Sequence, residues 1–366
     1  MAWFLTFLQA AIGLSVALAR PSVDFDSSTS KSRCPPFKGD IVINQYQLYP
    51  ENADLILILV CYTLDSCLWN STVAVYDPYK DKVVDILEFP GITRNPEFHI
   101  GGVDVNQDTG LVSIVVDAGA AFNTGGVDIS GTNYIMLWDP KAKTLLYKFN
   151  ITQEVTRGTY GGFQDAEQDP DGNVYVVGTY PGSIVKVDKR GQGVTPWYLN
   201  GPPIVPTNAG LNGLAATGWT LLTNDFTTAS IYRFDMRAKK GTPIHVPISH
   251  GFTFKTFTDA IYLPPKYHGT VLLVAEVQVG VQVLRSKNAK WEKAEYMGLV
   301  PWDGIATGIF VTASVQVGEG VYMVLCPAIG TDPIVPGTLA GNRTEFLMPD
   351  ITRDVERLLR VRGGWD

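Results

Sequence analysis

Charge is in short supply in this chain. Asp, Glu, Lys and Arg make up 18% of 366 residues and leave a formal net charge of −7, with no long basic run. Proteins hold nucleic acid through Lys and Arg clustered on its phosphates, so this balance argues against a nucleic-acid partner. Cysteines number only four (Cys34, Cys61, Cys67 and Cys326), too few for a disulfide scaffold and without the spacing of a zinc site. No Gly-rich nucleotide loop, Ser-His-Asp order or haem motif is present, so nucleotide and redox roles have little support and no cofactor is expected. Long amphipathic helical patterns are missing as well. After residue 19 no apolar run is long enough to span a bilayer, so no stable membrane insertion is expected of the mature chain.

Turn formers are plentiful: 36 Gly and 23 Pro sit in a chain that is 45% hydrophobic, enough apolar material to bury a substantial core. The first residues, "MAWFLTFLQAAIGLSVALARP", carry an apolar run that ends in Ala17 and Ala19, small residues of the A-x-A cleavage type. Residues 1–19 are read as a secretory signal peptide, and the missing Lys or Arg before the run leaves an uncleaved anchor as the alternative. Sequons at Asn70, Asn150 and Asn342 agree with passage through a glycosylating compartment. The protein is therefore expected in the secretory pathway, secreted or within the endomembrane lumen. In an oxidising lumen one or two bridges can form, and Cys34 to Cys326 would tie the two ends of the mature chain together; the pairing is not legible in the sequence, and buried free thiols are the alternative.

A repeated pattern organises the rest. Apolar strands begin at Gly110 ("GLVSIVVD"), Gly172, Gly218, Gly269 and Gly320, and the last three intervals are 46 to 51 residues, the range of propeller blades. The first interval is longer because it contains the Gly-rich insertion from Asp117 to Asn133, read as a loop over one face. One strand later, Asp77, Asp139, Asp188 and Asp235 each follow an apolar strand end, the position of a turn former rather than a catalyst. A third series ("HIGGVDV", "YGGFQDAEQ", "LNGLAAT", "FTDAIY", "FVTASVQV") precedes the Gly-bounded strands. With "LILILVCYT" and "STVAVYDP" supplying one more unit, the pattern predicts an all-β fold: a single six-bladed β-propeller of four-stranded antiparallel blades over residues 20–366. Either "DIVINQYQLYP" or "RTEFLMPDI" is expected to close the last blade, and "DITRDVERLLRVRGG" to form a terminal helix. The stretch "PENADLILILVCYTLDSC" is unusually apolar for a blade-one turn.

In a propeller the innermost strands line a channel, so the third series is where polar groups without a turn-forming role carry chemistry. His99, Gln164, Asp165, Asn208, Asn212, Thr258, Asp259 and Thr312 fall on or just before those strands. Backbone satisfaction of each is the bland alternative.

Two blade starts, "LNGLAATGWTLLTND" and "FTDAIYLPPKYHGTVLLVAE", resemble those of the regucalcin and gluconolactonase family. That resemblance implies a divalent-cation set of Asn212, Asp259 and, in "YPENAD", Glu51. Thr258 stands where that family has Pro, and no metal is favoured; a metal-dependent lactonase remains an alternative. Longer strings cover nearly the whole mature chain: "QYQLYPENAD", "FPGITRNPEFHIGGV", "VDAGAAFNTGG", "YGGFQDAEQDP", "GNVYVVGTYPGSI" and "GNRTEF". They resemble a fungal propeller family of sesquiterpenoid gene clusters, which includes the core trichothecene cluster protein and the hetero-Diels–Alderases of tropolone sesquiterpenoid pathways of the eupenifeldin and xenovulene types.

That second resemblance implies a cofactor-independent cyclase with a small-molecule terpenoid substrate. The expected reaction adds a tropolone o-quinone methide to a humulene-type alkene, closing a dihydropyran ring; a role in trichothecene biosynthesis and a non-catalytic terpenoid binder are the alternatives. Holding diene and alkene together removes up to roughly 7–11 kcal/mol of barrier. His99, Gln164, Asp165, Asn212 and Asp259 are the expected catalytic donors and acids. Phe122, Phe163, Asn208, Thr258, Trp302, Phe310 and Thr312 are the expected substrate contacts, with packing between blades the alternative for the aromatics.

Overall fold

The computed structural model describes residues 34–56, 61–152, 158–202, 204–255 and 257–361. The signal-peptide expectation therefore lies outside the described residues. Among those described, no helix is long and apolar enough to cross a membrane.

Strand β1 (Ile41–Asn44) is followed by five four-stranded antiparallel blades, each a meander in chain order. Blade one is β2 (Pro50–Ile56), β3 (Tyr62–Cys67), β4 (Thr72–Asp77) and β5 (Lys82–Leu87). Blade two is β6 (Phe98–Val105), β7 (Val112–Ala118), β8 (Tyr134–Asp139) and β9 (Thr144–Asn150). Blade three is β10 (Gly161–Gln168), β11 (Val174–Tyr180), β12 (Ser183–Val187) and β13 (Val194–Leu199). Blade four is β14 (Leu211–Thr217), β15 (Thr220–Asp225), β16 (Ser230–Asp235) and β17 (Ile244–Val246). Blade five is β18 (Thr258–Tyr262), β19 (Val271–Glu276), β20 (Gly280–Arg285) and β21 (Glu295–Pro301).

The remaining strands correct the count: five four-stranded blades form, not six. β22 (Ile309–Val317) and β23 (Gly320–Pro327) make one two-stranded sheet, and β1 pairs with β24 (Glu345–Met348) in another. One isolated bridge, Tyr322 to Asp350, joins β23 to the end of β24. The physical reason lies in the connection. Everywhere else the second strand passes to the third through a short turn or the β7–β8 insertion, but residues 328–344 separate β23 from β24. Pro327 also ends β23 without an N–H to extend the ladder. Both expected closing segments are used, since β1 and β24 pair with each other.

Each second strand is buried along almost its whole length, as the apolar runs "VSIVV", "VYVV" and "VLLVA" require. Between neighbouring strand groups lie separate apolar clusters, for example Val115, Phe163 and Val174 between blades two and three, and Trp197, Leu214 and Phe234 between blades three and four. Each large side chain buried there contributes about 1.5–3 kcal/mol. A blade alone would leave these faces wet, which is why the chain repeats itself. The innermost strands β2, β6, β10, β14, β18 and β22 touch one another in turn and close a ring, with β22 meeting β2.

The turn-forming aspartates act as expected: Asp77, Asp139, Asp188 and Asp235 each accept backbone N–H bonds from residues two to four positions on. The insertion after Asp117 is not all loop, for α1 (Gly119–Asn123) forms at its start. The C-terminal helix appears as α2 (Thr352–Val361), led in by the Asp350 carboxylate, which accepts from the Thr352 N–H. Val355 and Leu358 of α2 pack on the cluster between β21 and β23. Cys34 is bonded to Cys61, not to Cys326; Cys326 and Cys67 are buried free thiols. Cys326 sits in β23, whereas the chain at Cys34 runs beside the start of β3, which explains the correction.

Candidate functional site

In all six innermost strands the pairing with the next strand slips once. The slips fall between Pro50 and Ala53, Ile100 and Val103, Phe163 and Asp165, Leu211 and Leu214, Thr258 and Ile261, and Val311 and Ala313. A β-bulge leaves a residue without a cross-strand partner and re-aims its side chain. The residues released include Glu51, Gly101, Gln164, Asn212, Asp259 and Thr312, one from each strand. All but Asn212 line a single cavity of about 300 Å³.

Part of the lining is apolar, built from Leu68, Trp69, Phe122, Val277, Phe310 and Ile329. The lining also holds the carboxyls of Glu51, Asp117 and Asp259, and none of the described lining residues is Lys or Arg. Burial pushes the Glu51 carboxyl well above the carboxylate range, and the neighbouring Asp259, Asp165 and Asp117 push it further. Burial raises Asp259 to about 7, and Asp117 well above its ordinary value. A carboxyl raised in this way keeps its proton to higher pH and can donate it to a bound group.

Five polar atoms around the cavity are buried without a hydrogen-bond partner: Glu51 Oε2, Trp69 Nε1, His99 Nε2, Asp117 Oδ2 and Thr312 Oγ1. Leaving such a group unpaired costs about 1–3 kcal/mol, so five around one cavity mark a place for a ligand with oxygen functions. His99 and Asp117 are direct cross-strand partners on β6 and β7. Their Nδ1 and Oδ2 atoms lie 3.6 Å apart, within ion-pair reach. Burial nevertheless lowers His99 to about 4 while raising Asp117, and both effects favour an uncharged pair.

Several of the expected polar residues are joined to one another by hydrogen bonds. Gln164 Nε2 donates to Thr179 Oγ1 at 3.0 Å and to Asn212 Oδ1. Asn212 Nδ2 donates to the Thr258 carbonyl at 2.8 Å and to Asp259 Oδ1 at 3.2 Å. Asp165 does not reach the cavity: its carboxylate accepts from Asn52 Nδ2 of blade one and from the Leu214 N–H of blade four, and burial raises it to about 7. The Thr258 hydroxyl is likewise occupied, accepting from Asn224 Nδ2.

Besides Thr258, three expected substrate contacts lie outside the cavity. Phe163 is fully buried between blades two and three, because the bulge turns Gln164, not Phe163, toward the axis. Asn208 is exposed on the loop before β14. Trp302 packs outward, its indole donating to the Ile309 carbonyl, and lines a separate groove beside Val42 and Leu347. Phe122, Phe310 and Thr312 do line the cavity. Trp69, Asp117 and Cys326 are lining residues that the sequence reading missed. The only signal for Asp117 was its place at the end of β7, opposite His99. Of the sequons, Asn342 is exposed in a bend, Asn150 is half-buried at the end of β9, and Asn70 donates to the Gln47 carbonyl.

The cation set implied by the regucalcin resemblance does not fit as arranged. Glu51, Asn212 and Asp259 are neighbours, but Asn212 turns its N–H toward Asp259 and its oxygen toward Gln164 and Thr179. Among the described residues, no three His, Cys, Asp or Glu side chains are gathered to hold a metal ion.

Two curated proteins share this chain's sequence over almost its whole length. The trichothecene biosynthesis protein 14 of Trichoderma arundinaceum is 36% identical over 343 residues, 89% of this chain and 92% of that protein. The chain belongs to the trichothecene cluster protein 14 family. The core trichothecene cluster protein 14 of Fusarium sporotrichioides is 31% identical over 349 residues, 90% of this chain and 89% of its own. Among solved structures, the Malassezia sympodialis allergen Mala s 1 superposes with a TM-score of 0.70 at 19% identity, covering 86% of this chain and 96% of that one. A gluconolactonase of Xanthomonas campestris superposes with a TM-score of 0.51 at 13% identity, covering 84% and 89%. At these identities the likeness shows the propeller fold alone. No family model matches the chain.

Proposed function

We propose that this trichothecene cluster protein 14 homologue is a cofactor-independent cyclase that closes an oxygen ring within one sesquiterpenoid of a fungal trichothecene cluster. The observation that carries the reading is the pairing of an apolar aromatic wall with neutral, buried acids that have no cation beside them. An oxygenated hydrocarbon skeleton packs on Trp69, Phe122 and Phe310. Glu51, whose carboxyl burial pushes well above the carboxylate range, donates its proton to a departing allylic hydroxyl. A hydroxyl elsewhere on the same skeleton attacks the carbon, so that a C–O bond forms, the old C–O bond breaks with its electron pair, and water leaves with the proton of Glu51. The cavity supplies the near-attack geometry.

The tropolone hetero-Diels–Alder reaction would begin with the same dehydration, but it must hold a macrocycle and a tropolone together. A cavity of about 300 Å³ lies at the low end for small-molecule sites and suits one skeleton better than two. The names of the relatives also favour a trichothecene role. On this reading the sheets β22–β23 and β1–β24 act as one divided sixth blade that closes the ring, and the Cys34–Cys61 bridge supports a secretory location.

The test uses a sesquiterpenoid diol with one allylic hydroxyl and follows loss of one water into a cyclic ether by mass spectrometry. Wild-type protein is expected to accelerate the closure and Glu51→Gln to lose at least about 100-fold in kcat. Tight diol binding without turnover would make the protein a carrier and sink the cyclase reading.

A further inference from the structure

We propose that His99 is the proton acceptor of the ring closure, receiving the proton of the attacking hydroxyl on Nε2, with Asp117 and Trp69 as its positioning residues. This inference rests on the cyclase reading above and adds the second half of its proton traffic.

The imidazole is closely packed. Asp117, its cross-strand partner, faces Nδ1 at 3.6 Å. The Trp69 ring meets the imidazole edge-on, with centroids 4.8 Å apart and planes at 90°. Gly119, the first residue of α1, lies against the ring so closely that a methyl group there would come within 2.6 Å of Cε1 and Nε2. Nε2 is buried, has no hydrogen-bond partner and belongs to a residue lining the cavity. When Nδ1–H faces Asp117, Nε2 presents its lone pair to the ligand. His99 shares that cavity with Glu51, so donor and acceptor can act on one bound molecule.

A weak base suffices here. As the hydroxyl oxygen bonds to carbon it becomes an oxonium, a far stronger acid than imidazolium, so transfer to Nε2 runs downhill even though burial holds His99 at about 4. The same burial keeps the ring in its accepting form throughout the neutral range. After closure Glu51 is a carboxylate and His99 an imidazolium. Return of the proton from His99 to Glu51 restores both, so the cycle needs no oxidant, reductant or second substrate.

The experiment uses the full mature chain and the allylic diol probe, with melting temperatures recorded for each variant. His99→Ala is expected to lose at least about 100-fold in kcat with KM nearly unchanged, and added imidazole to restore part of the loss. Asp117→Ala should lower kcat about tenfold at constant KM, and Asp117→Asn should recover most of it, because an amide oxygen can face Nδ1–H as the carboxyl does. Should His99→Ala not fold, His99→Gln carries the same expectation. Turnover retained in a folded His99 variant, with Glu51→Gln inert, overturns this inference and leaves the cyclase reading standing. An inert wild-type protein overturns the cyclase reading, and this inference with it.

Discussion

Two tiers of carboxyl groups sit on or beside the inner strands, and they differ in how far hydrogen bonds satisfy them. The upper tier, at the bulges, holds Glu51 and Asp259, with Asp117 of β7 beside them; Glu51 Oε2 and Asp117 Oδ2 have no partner. Three residues further along β2, β6 and β10 lie Asp54, Asp104 and Glu167. There Asp54 accepts from the Leu55 and Val105 N–H groups, Asp104 from Gln168, and Glu167 from the Ala216 N–H. Asp54 and Glu167 thus bind the neighbouring blade's backbone. Burial raises the upper and the lower tier alike, Asp54 to about 7 and Glu167 to about 8. A perturbed pKa therefore does not separate structure from chemistry in this channel; hydrogen-bond satisfaction does.

The comparison can be broken outright at Gly102. A Cβ there would lie 2.6 Å from the Asp165 Cα and 2.7 Å from the Gln164 carbonyl oxygen, backbone that cannot yield. Gly102→Ala is expected to cost more than about 4 kcal/mol and to abolish both tiers, seen as loss of folded protein. A sharper contrast sets Asp54→Ala against Glu51→Gln. Removing Asp54 orphans two backbone N–H groups and should cost about 1–3 kcal/mol by denaturant unfolding, with turnover per folded molecule unchanged. Removing the Glu51 proton source should leave the melting temperature level or higher and stop turnover. If Asp54→Ala lowered turnover as Glu51→Gln does, the division into tiers would fail.

Stability should also fall with rising pH. Asp54, Asp65, Asp165 and Asp259 are each raised to about 7 in the fold, so between about pH 4 and 7 the folded state keeps protons that the unfolded chain has released. His99, lowered to about 4, acts in the opposite sense between about pH 4 and 6.5, but it is one group against four. A melting temperature higher at pH 5 than at pH 8 is the expected result, and a higher value at pH 8 would show that these carboxyls titrate normally. The smallest effect belongs to a site outside both tiers: Asp139→Ala, which removes only the acceptor for the Lys141 and Ala142 N–H groups, should cost about 1 kcal/mol and leave turnover alone.

Much of this was legible before folding. Alternation and Gly-bounded runs marked the strands, the blade starts marked the innermost ones, and Asp after an apolar strand end marked the turns. Gln164, Asp259 and Thr312 were legible because polar residues interrupt otherwise apolar inner strands. Phe163 misled because it neighbours Gln164 in sequence, yet it packs between blades two and three while Gln164 lines the cavity. Trp69 and Asp117 were not legible: one sits in a turn and the other ends a second strand, and only blade packing carries them to the cavity.

The sequence by itself determined the local alphabet of this protein, because strand period, turn chemistry and apolar content act over a few residues. Tertiary structure alone decided the closing of the ring, the Cys34–Cys61 bridge and the division of the last strands into two pairs. It also decided which polar atoms remain unpaired. Satisfaction of a buried group depends on what the next blade brings within 3 Å or so of it, and that neighbour lies about fifty residues away in the chain.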